Sequence, residues 1–278
     1  MSLYVNRTRY KGGSPTLGAS SGIINNAVLN GHDFYDDDYN PTPPAHDYSQ
    51  DYLTIESLEN ENTIRFVKGS SAPSNTYYYS LDNGTTWASS SSTGSWVLNS
   101  GAKIIFKSVS NAFSRNNSVS YRWEFKSSSS CIVYGNIMSL LYGDDFIGKT
   151  TLKGNWSFNG LFYANGPRWT DISNLILPAT TLTDNCYNNM FLGSSSTTAP
   201  ILPATTLTSG CYTNMFYGCS SLNQVTCLAT DISASNCLSN WLYGVSANGT
   251  FIKNSSMLDW SSGASGIPTG WTVQDYAA

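Results

Sequence analysis

A segment of this chain is copied at a fixed offset, and that copying constrains the fold more tightly than any single motif. Leu177-Pro-Ala-Thr-Thr-Leu-Thr183 returns as Leu202-Pro-Ala-Thr-Thr-Leu-Thr208, and Cys186-Tyr-Asn-Asn-Met-Phe-Leu-Gly193 returns as Cys211-Tyr-Thr-Asn-Met-Phe-Tyr-Gly218, each after 25 residues. A decayed copy follows in Ala229-Thr-Asp-Ile232 and Cys237-Leu-Ser-Asn-Trp-Leu-Tyr-Gly244, with one residue inserted between its halves. A degenerate earlier unit ends in Phe158-Asn-Gly-Leu161-Phe162. Units of this size cannot bury an apolar face alone, so neighbours must stack and equivalent side chains must form ladders.

The expected ladders are Leu182, Leu207 and Ile232; Cys186, Cys211 and Cys237; Met190, Met215 and Trp241; and Phe191, Phe216 and Leu242. Gly193, Gly218 and Gly244 fall where each unit turns and needs a residue tolerant of positive φ. Pro178 and Pro203 open the extended part of a unit and limit edge pairing. Phe251, Met257, Trp260 and Trp271 read as a cap on the last unit.

Upstream of the repeats the period changes to two. Residues 52–56, 63–67, 77–81, 95–98, 103–107 and 121–125 each alternate as half-buried strands. Glu61-Asn62, Asp82-Asn83-Gly84 and Asn99-Ser100-Gly101 supply the turns. The whole reads as mainly β: an N-terminal arm over 1–50, a small antiparallel β-sandwich over 51–130, a leucine-rich-repeat-like coil over 131–245 and a C-terminal cap over 246–278. The first fifty residues lack periodicity but carry Tyr4, Tyr10, Phe34, Tyr35, Tyr39 and Tyr48, apolar area suited to an arm that orders on a partner surface. Tyr4, Tyr10, Phe34 and Tyr35 are the expected anchoring contacts.

Charged residues are only 12% of the 278 and the net charge is −4, so the chain lacks the basic footprint of a nucleic-acid or anionic-membrane binder. No stretch approaches the roughly 20 apolar residues that cross a bilayer, and the N-terminus has no apolar secretion segment. The six cysteines form no CxxC pair and have only His32 and His46 for company, so no zinc site is expected. Cys186, Cys211 and Cys237 read as small buried apolar side chains; a disulfide between neighbours is the alternative.

Candidate chemistry is sparse. Ser80-Leu-Asp82-Asn-Gly84-Thr-Thr86-Trp87 fits the S-x-D-x-G-x-T-W Asp box, a hairpin in which Asp caps turn amides and Trp packs beneath; it does not itself catalyse. Asp33, Asp36, Asp37 and Asp38 are spaced wrongly for a calcium loop and read as a solvated acidic turn, with a metal site as the rival reading. Asp171, Asp184 and Asp231 are too scattered for a glycosidase pair. No enzyme activity and no cofactor are therefore expected. Aromatic side chains among Asn and Ser are the better lead: Tyr187, Tyr212, Tyr217 and Tyr243 form the candidate recognition surface, together with Trp169, while Trp241 reads as core.

Residues 202–222, Leu-Pro-Ala-Thr-Thr-Leu-Thr followed by Cys-Tyr-x-Asn-Met-Phe-x-Gly-Cys-Ser-Ser-Leu, resemble the BspA-like leucine-rich repeats of gut Bacteroidetes surface proteins. Tyr134–Gly143 resembles the segment that opens such repeats, and Gly249–Lys253 with Gly266–Trp271 resembles their closing segment. The resemblance spans about residues 52 to 276, because a β-domain with this hairpin commonly precedes the repeats. It implies a surface protein. Relatives of this build occur as fibres and other virion parts in phages of these bacteria, including the crAss-like group. An arm standing where a secretion signal would be makes a phage head or tail fibre the first expectation. Expected partners are sister copies in a homo-oligomer (a trimer by analogy with fibres), capsid or tail proteins, and host-surface glycans. The rival is a bacterial cell-surface adhesin whose signal has been removed.

Overall fold

A computed structural model describes residues 46–164 and 168–277, together with the backbone of two antiparallel strand pairs nearer the N-terminus: β1 (Tyr4–Val5) with β2 (Thr8–Arg9), and β3 (Val28–Leu29) with β4 (His32–Asp33). Residues 1–46 and 47–278 are separate units. Tyr10, Phe34, Tyr35 and the side chain of Tyr4 lie outside the described residues, as do Asp36, Asp37 and Asp38.

The second unit is mainly β. Its strands are β5 (Leu53–Ser57), β6 (Asn62–Lys68), β7 (Tyr77–Ser80), β8 (Ala88–Ser90), β9 (Gly94–Leu98), β10 (Lys103–Ser108), β11 (Trp123–Ser127) and β12 (Cys131–Asn136). After the one-turn helix α1 (Ser139–Tyr142) come β13 (Trp169–Asp171), β14 (Leu175–Ile176), β15 (Gln224–Cys227), β16 (Thr250–Lys253) and β17 (Thr272–Asp275). One sheet runs β13-β12-β5-β10-β7-β8, with β14 also on β12; a second runs β11-β6-β9. All pairings between β5 and β11 are antiparallel.

The two sheets face each other in a sandwich-like arrangement, because alternation places one set of side chains inward on each. Phe66 and Phe125 from the smaller sheet meet Tyr77 and Phe106 from the larger, with Phe66–Tyr77 centroids 5.0 Å apart and Phe106–Phe125 centroids 4.8 Å apart. All four are fully buried, each ring contributing roughly 1.5–3 kcal/mol. Asn62, also buried, ties the sheets with polar bonds: its Oδ1 accepts from Ser127 Oγ at 2.8 Å and the Ser129 N–H at 3.0 Å, and its Nδ2 donates to Ser57 Oγ at 3.0 Å.

β12 is the seam. It pairs antiparallel with β5 and parallel with β13 and β14, so one strand belongs both to the sandwich-like part and to the repeats C-terminal to it. Beyond it the repeats lie as tiers, one against the next, at residues 152–164, 177–193, 202–218 and 229–244. Their final halves are not strands. N–H groups of Tyr187, Asn189, Phe191 and Gly193 donate to carbonyls of Cys211, Thr213, Met215 and Tyr217 in the next tier. The intervening N–H groups of Asn188, Met190, Leu192 and Ser194 close turns on carbonyls three residues back. The next tier repeats this scheme onto Cys237, Ser239, Trp241 and Tyr243. Every backbone donor in these runs therefore finds a partner.

A left-handed residue stands at every fourth position of each run: Asn185, Asn189 and Gly193; Gly210, Asn214 and Gly218; Asn236, Asn240 and Gly244. Asn and Gly are the residues that tolerate this backbone at least cost. Between them, pairs of neighbours turn inward, so Cys186 and Tyr187, then Met190 and Phe191, are all buried. The last element is a parallel sheet, β15-β16-β17, under which Phe251 and Trp271 are buried. No helix among the described residues is long and apolar enough to cross a membrane.

Candidate recognition surface

Two columns of stacked rings decide which aromatic residues remain for contact. The first runs from the sheets through three tiers: Phe66–Phe125 at 4.1 Å, Phe125–Phe162 at 5.3 Å, Phe162–Phe191 at 5.8 Å and Phe191–Phe216 at 5.5 Å, with interplanar angles no larger than 16°. The second is Phe113–Phe158–Tyr187–Tyr212–Trp241–Trp260, with spacings of 5.8 to 6.4 Å. Trp241 stands at the backbone place of Met190 and Met215, yet its ring completes the tyrosine column.

These columns correct part of the expected recognition surface. Tyr187 and Tyr212 are each 1% exposed and belong to the core, and Trp169 is equally buried. An alternating reading sends consecutive residues to opposite faces. The four-residue spacing of left-handed turns sends Cys and the Tyr after it to the same face. Burial pushes the phenol pKa values of Tyr187 and Tyr212 well above their ordinary range, and the Tyr187 hydroxyl has no hydrogen-bond partner among the described residues. Tyr217 and Tyr243 do face outward, at 37% and 51% exposure, and their rings stack on each other at 4.8 Å and 17°. They share one tier position with Tyr163 and Leu192, since the N–H groups of Ala164, Gly193 and Gly218 donate to Leu192, Tyr217 and Tyr243 in turn.

The ladder residues Leu182, Leu207, Cys186, Cys211, Cys237, Met190, Met215 and Trp241 are buried; Ile232, in the tier with the inserted residue, is only half-buried against the core. All six cysteines are free and buried. Burial holds the thiols of Cys186, Cys219 and Cys227 up at about 12 and raises that of Cys211 further, so none is a ready nucleophile or metal ligand at neutral pH.

The Asp box forms the expected hairpin. Ser80 Oγ donates to Asp82 Oδ1 at 2.6 Å, and the Thr86 N–H and hydroxyl donate to the same carboxylate at 2.9 and 2.7 Å. Led by the Ser80 hydroxyl, these bonds lower the Asp82 pKa to about 2. Trp87 packs edge-on against Tyr52 at 5.1 Å, and Lys107 lies over its ring at 4.1 Å. Lys107 Nζ and Tyr52 Oη both bond Asp144, at 2.6 and 2.7 Å, which fastens the hairpin to the segment after α1. Asp171, at the end of β13, Asp184 and Asp231 stay in separate segments of the chain, Asp171 and Asp231 each accepting from the backbone N–H two residues on. No group of three His, Cys, Asp or Glu side chains suited to a metal occurs among the described residues.

Comparison with protein-family models, with curated proteins and with solved structures finds no match to this chain.

Proposed function

We propose that this chain is a structural recognition protein of a virion surface, a phage head or tail fibre without enzymatic activity. In this reading residues 1–50 attach it to capsid or tail proteins and to sister copies in a homotrimer. Residues 131–245 are a leucine-rich-repeat-like solenoid, closed by residues 246–278, that faces outward toward host-surface glycans. One observation carries most weight: the repeats stack seven rings in two internal columns and leave a second kind of stacked pair, Tyr217 and Tyr243, in solvent. Such a build suits a stiff spacer with a contact face. The chemistry agrees, since the buried thiols hold their protons and the Asp82 carboxylate is engaged in its own hairpin.

Gold-labelled antibody to the chain, imaged on purified phage particles and on uninfected host cells, tests the reading. Label on the head or tail supports it. Label confined to the bacterial surface replaces it with a cell-surface adhesin, and a dimer or monomer mass by light scattering removes the trimer.

A further inference from the structure

We propose that the groove bordered by Tyr243 binds one ring of a neutral carbohydrate, with Tyr243 as the stacking platform and Tyr217 as its support. This rests on the recognition reading above and names the chemical class of the ligand.

The two rings are the first reason. Exposed aromatic area is costly to keep in water, and here it is kept as a stacked pair. Contact with Tyr217 sets the plane of Tyr243 before a ligand arrives, so little rotamer freedom is lost on binding.

The groove is the second. It holds about 250 Å³, smaller than the roughly 300–1,000 Å³ of sites that enclose drug-sized ligands, which suits one ring of a longer chain. Tyr217 leans on Tyr243 from the preceding tier. Gly263, Pro268 and Thr269, from the C-terminal cap, line the groove together with Tyr243, whereas Tyr217 does not line it and touches Tyr243 ring to ring.

Charge is the third. None of the lining residues is charged, so a phosphate, a uronic acid or an ammonium group would lose hydration there without gaining a counter-charge. What the groove offers is an aromatic face, apolar walls from Val245, Ala264 and Pro268, the hydroxyls of Ser246 and Thr269, and exposed main chain at Gly244 and Ala247. Ser246 Oγ already donates to the Asn248 carbonyl at 2.9 Å, which leaves it as an acceptor. A pyranose presents C–H bonds on its faces and hydroxyls around its rim, and it matches both halves of this set. A wholly apolar ligand would gain nothing from the Ser246 acceptor or the Thr269 hydroxyl.

The test uses purified full-length protein titrated by NMR or calorimetry with maltoheptaose, mannohexaose and xylohexaose, and with polygalacturonate as the acidic control. The expected result is binding to at least one neutral oligosaccharide and none to polygalacturonate. Tyr243→Ala should weaken that binding at least tenfold, while Tyr243→Phe stays within threefold of wild type. Ala247→Trp should abolish it by filling the groove from an exposed position, with both tyrosines intact. Binding to no neutral probe, binding to polygalacturonate alone, or unchanged affinity in the Ala247→Trp protein overturns the proposal. Particle labelling is read separately: unlabelled virions with intact sugar binding remove the fibre reading and leave this site standing.

Discussion

The sheets over residues 53–136 and the tiers over residues 152–244 share an aromatic core but satisfy their backbones by different means. In the sheets, strands pair along their length, alternation assigns each side chain a face, and charge assists. Arg122 bonds Glu124 at 2.8 Å while both are buried, and Lys126 reaches the same carboxylate at 2.5 Å. In the tiers, left-handed Asn and Gly bend the chain every four residues, alternate N–H groups reach the next tier, and neutral Asn side chains link the turns, as when Asn214 Nδ2 donates to Asn189 Oδ1 at 3.2 Å. A tier can therefore be short and almost uncharged, because its neighbours supply what a partner strand would. The ring columns cross the seam at β12 without a break, so two backbone styles share one core.

The largest expected effect separates the two styles by pH. Buried thiols at Cys186, Cys219 and Cys227 keep their protons to about 12 in the folded chain, while unfolded thiols titrate near 8.5. Their contribution to stability is complete below that lower value and is lost as pH rises toward 12. Urea midpoints should fall steeply between pH 9 and 12. The variant Cys186→Ala/Cys219→Ala/Cys227→Ala should show a clearly shallower fall, and an identical slope would mean that these three thiols do not carry the alkaline loss.

Next in size is a cut through the seam. Phe162 is fully buried between Phe125 and Phe191, so Phe162→Ala should cost about 3–5 kcal/mol by urea denaturation. Because the column is shared, fluorescence and circular dichroism should still report one coincident transition. Two separated transitions would show that sheets and tiers fold independently.

The smallest effect has the opposite sign. Tyr187→Phe removes a buried hydroxyl that has no partner among the described residues and keeps the ring in its column, so it should stabilise the protein by about 1 kcal/mol, read as a higher urea midpoint. Destabilisation there would point to a bond made by that hydroxyl.

Much of the sheet region was legible because its rule is local. Alternation located β5, β6, β7, β9, β10 and β11 to within two residues at either end, and Glu61, Asn83 and Gly101 take positive φ at the expected turns. β8 was missed, since Ala88-Ser-Ser90 carries no apolar alternation and pairs only at the sheet edge. β12 carries a glycine at 135 and takes its strand form from partners distant in sequence, β5 on one side and β13 and then β14 on the other. At the candidate site, the outward pair Tyr217 and Tyr243 was legible, but nothing local set it apart from Tyr187 and Tyr212.

By itself the sequence determined the repeat, its 25-residue offset and the residue types at equivalent places, because copying and turn chemistry are properties of the chain alone. Only the tertiary structure decided which of the four tyrosines face water. That choice depends on the backbone direction at each left-handed turn and on the ring waiting in the neighbouring tier, and neither exists until the tiers have stacked.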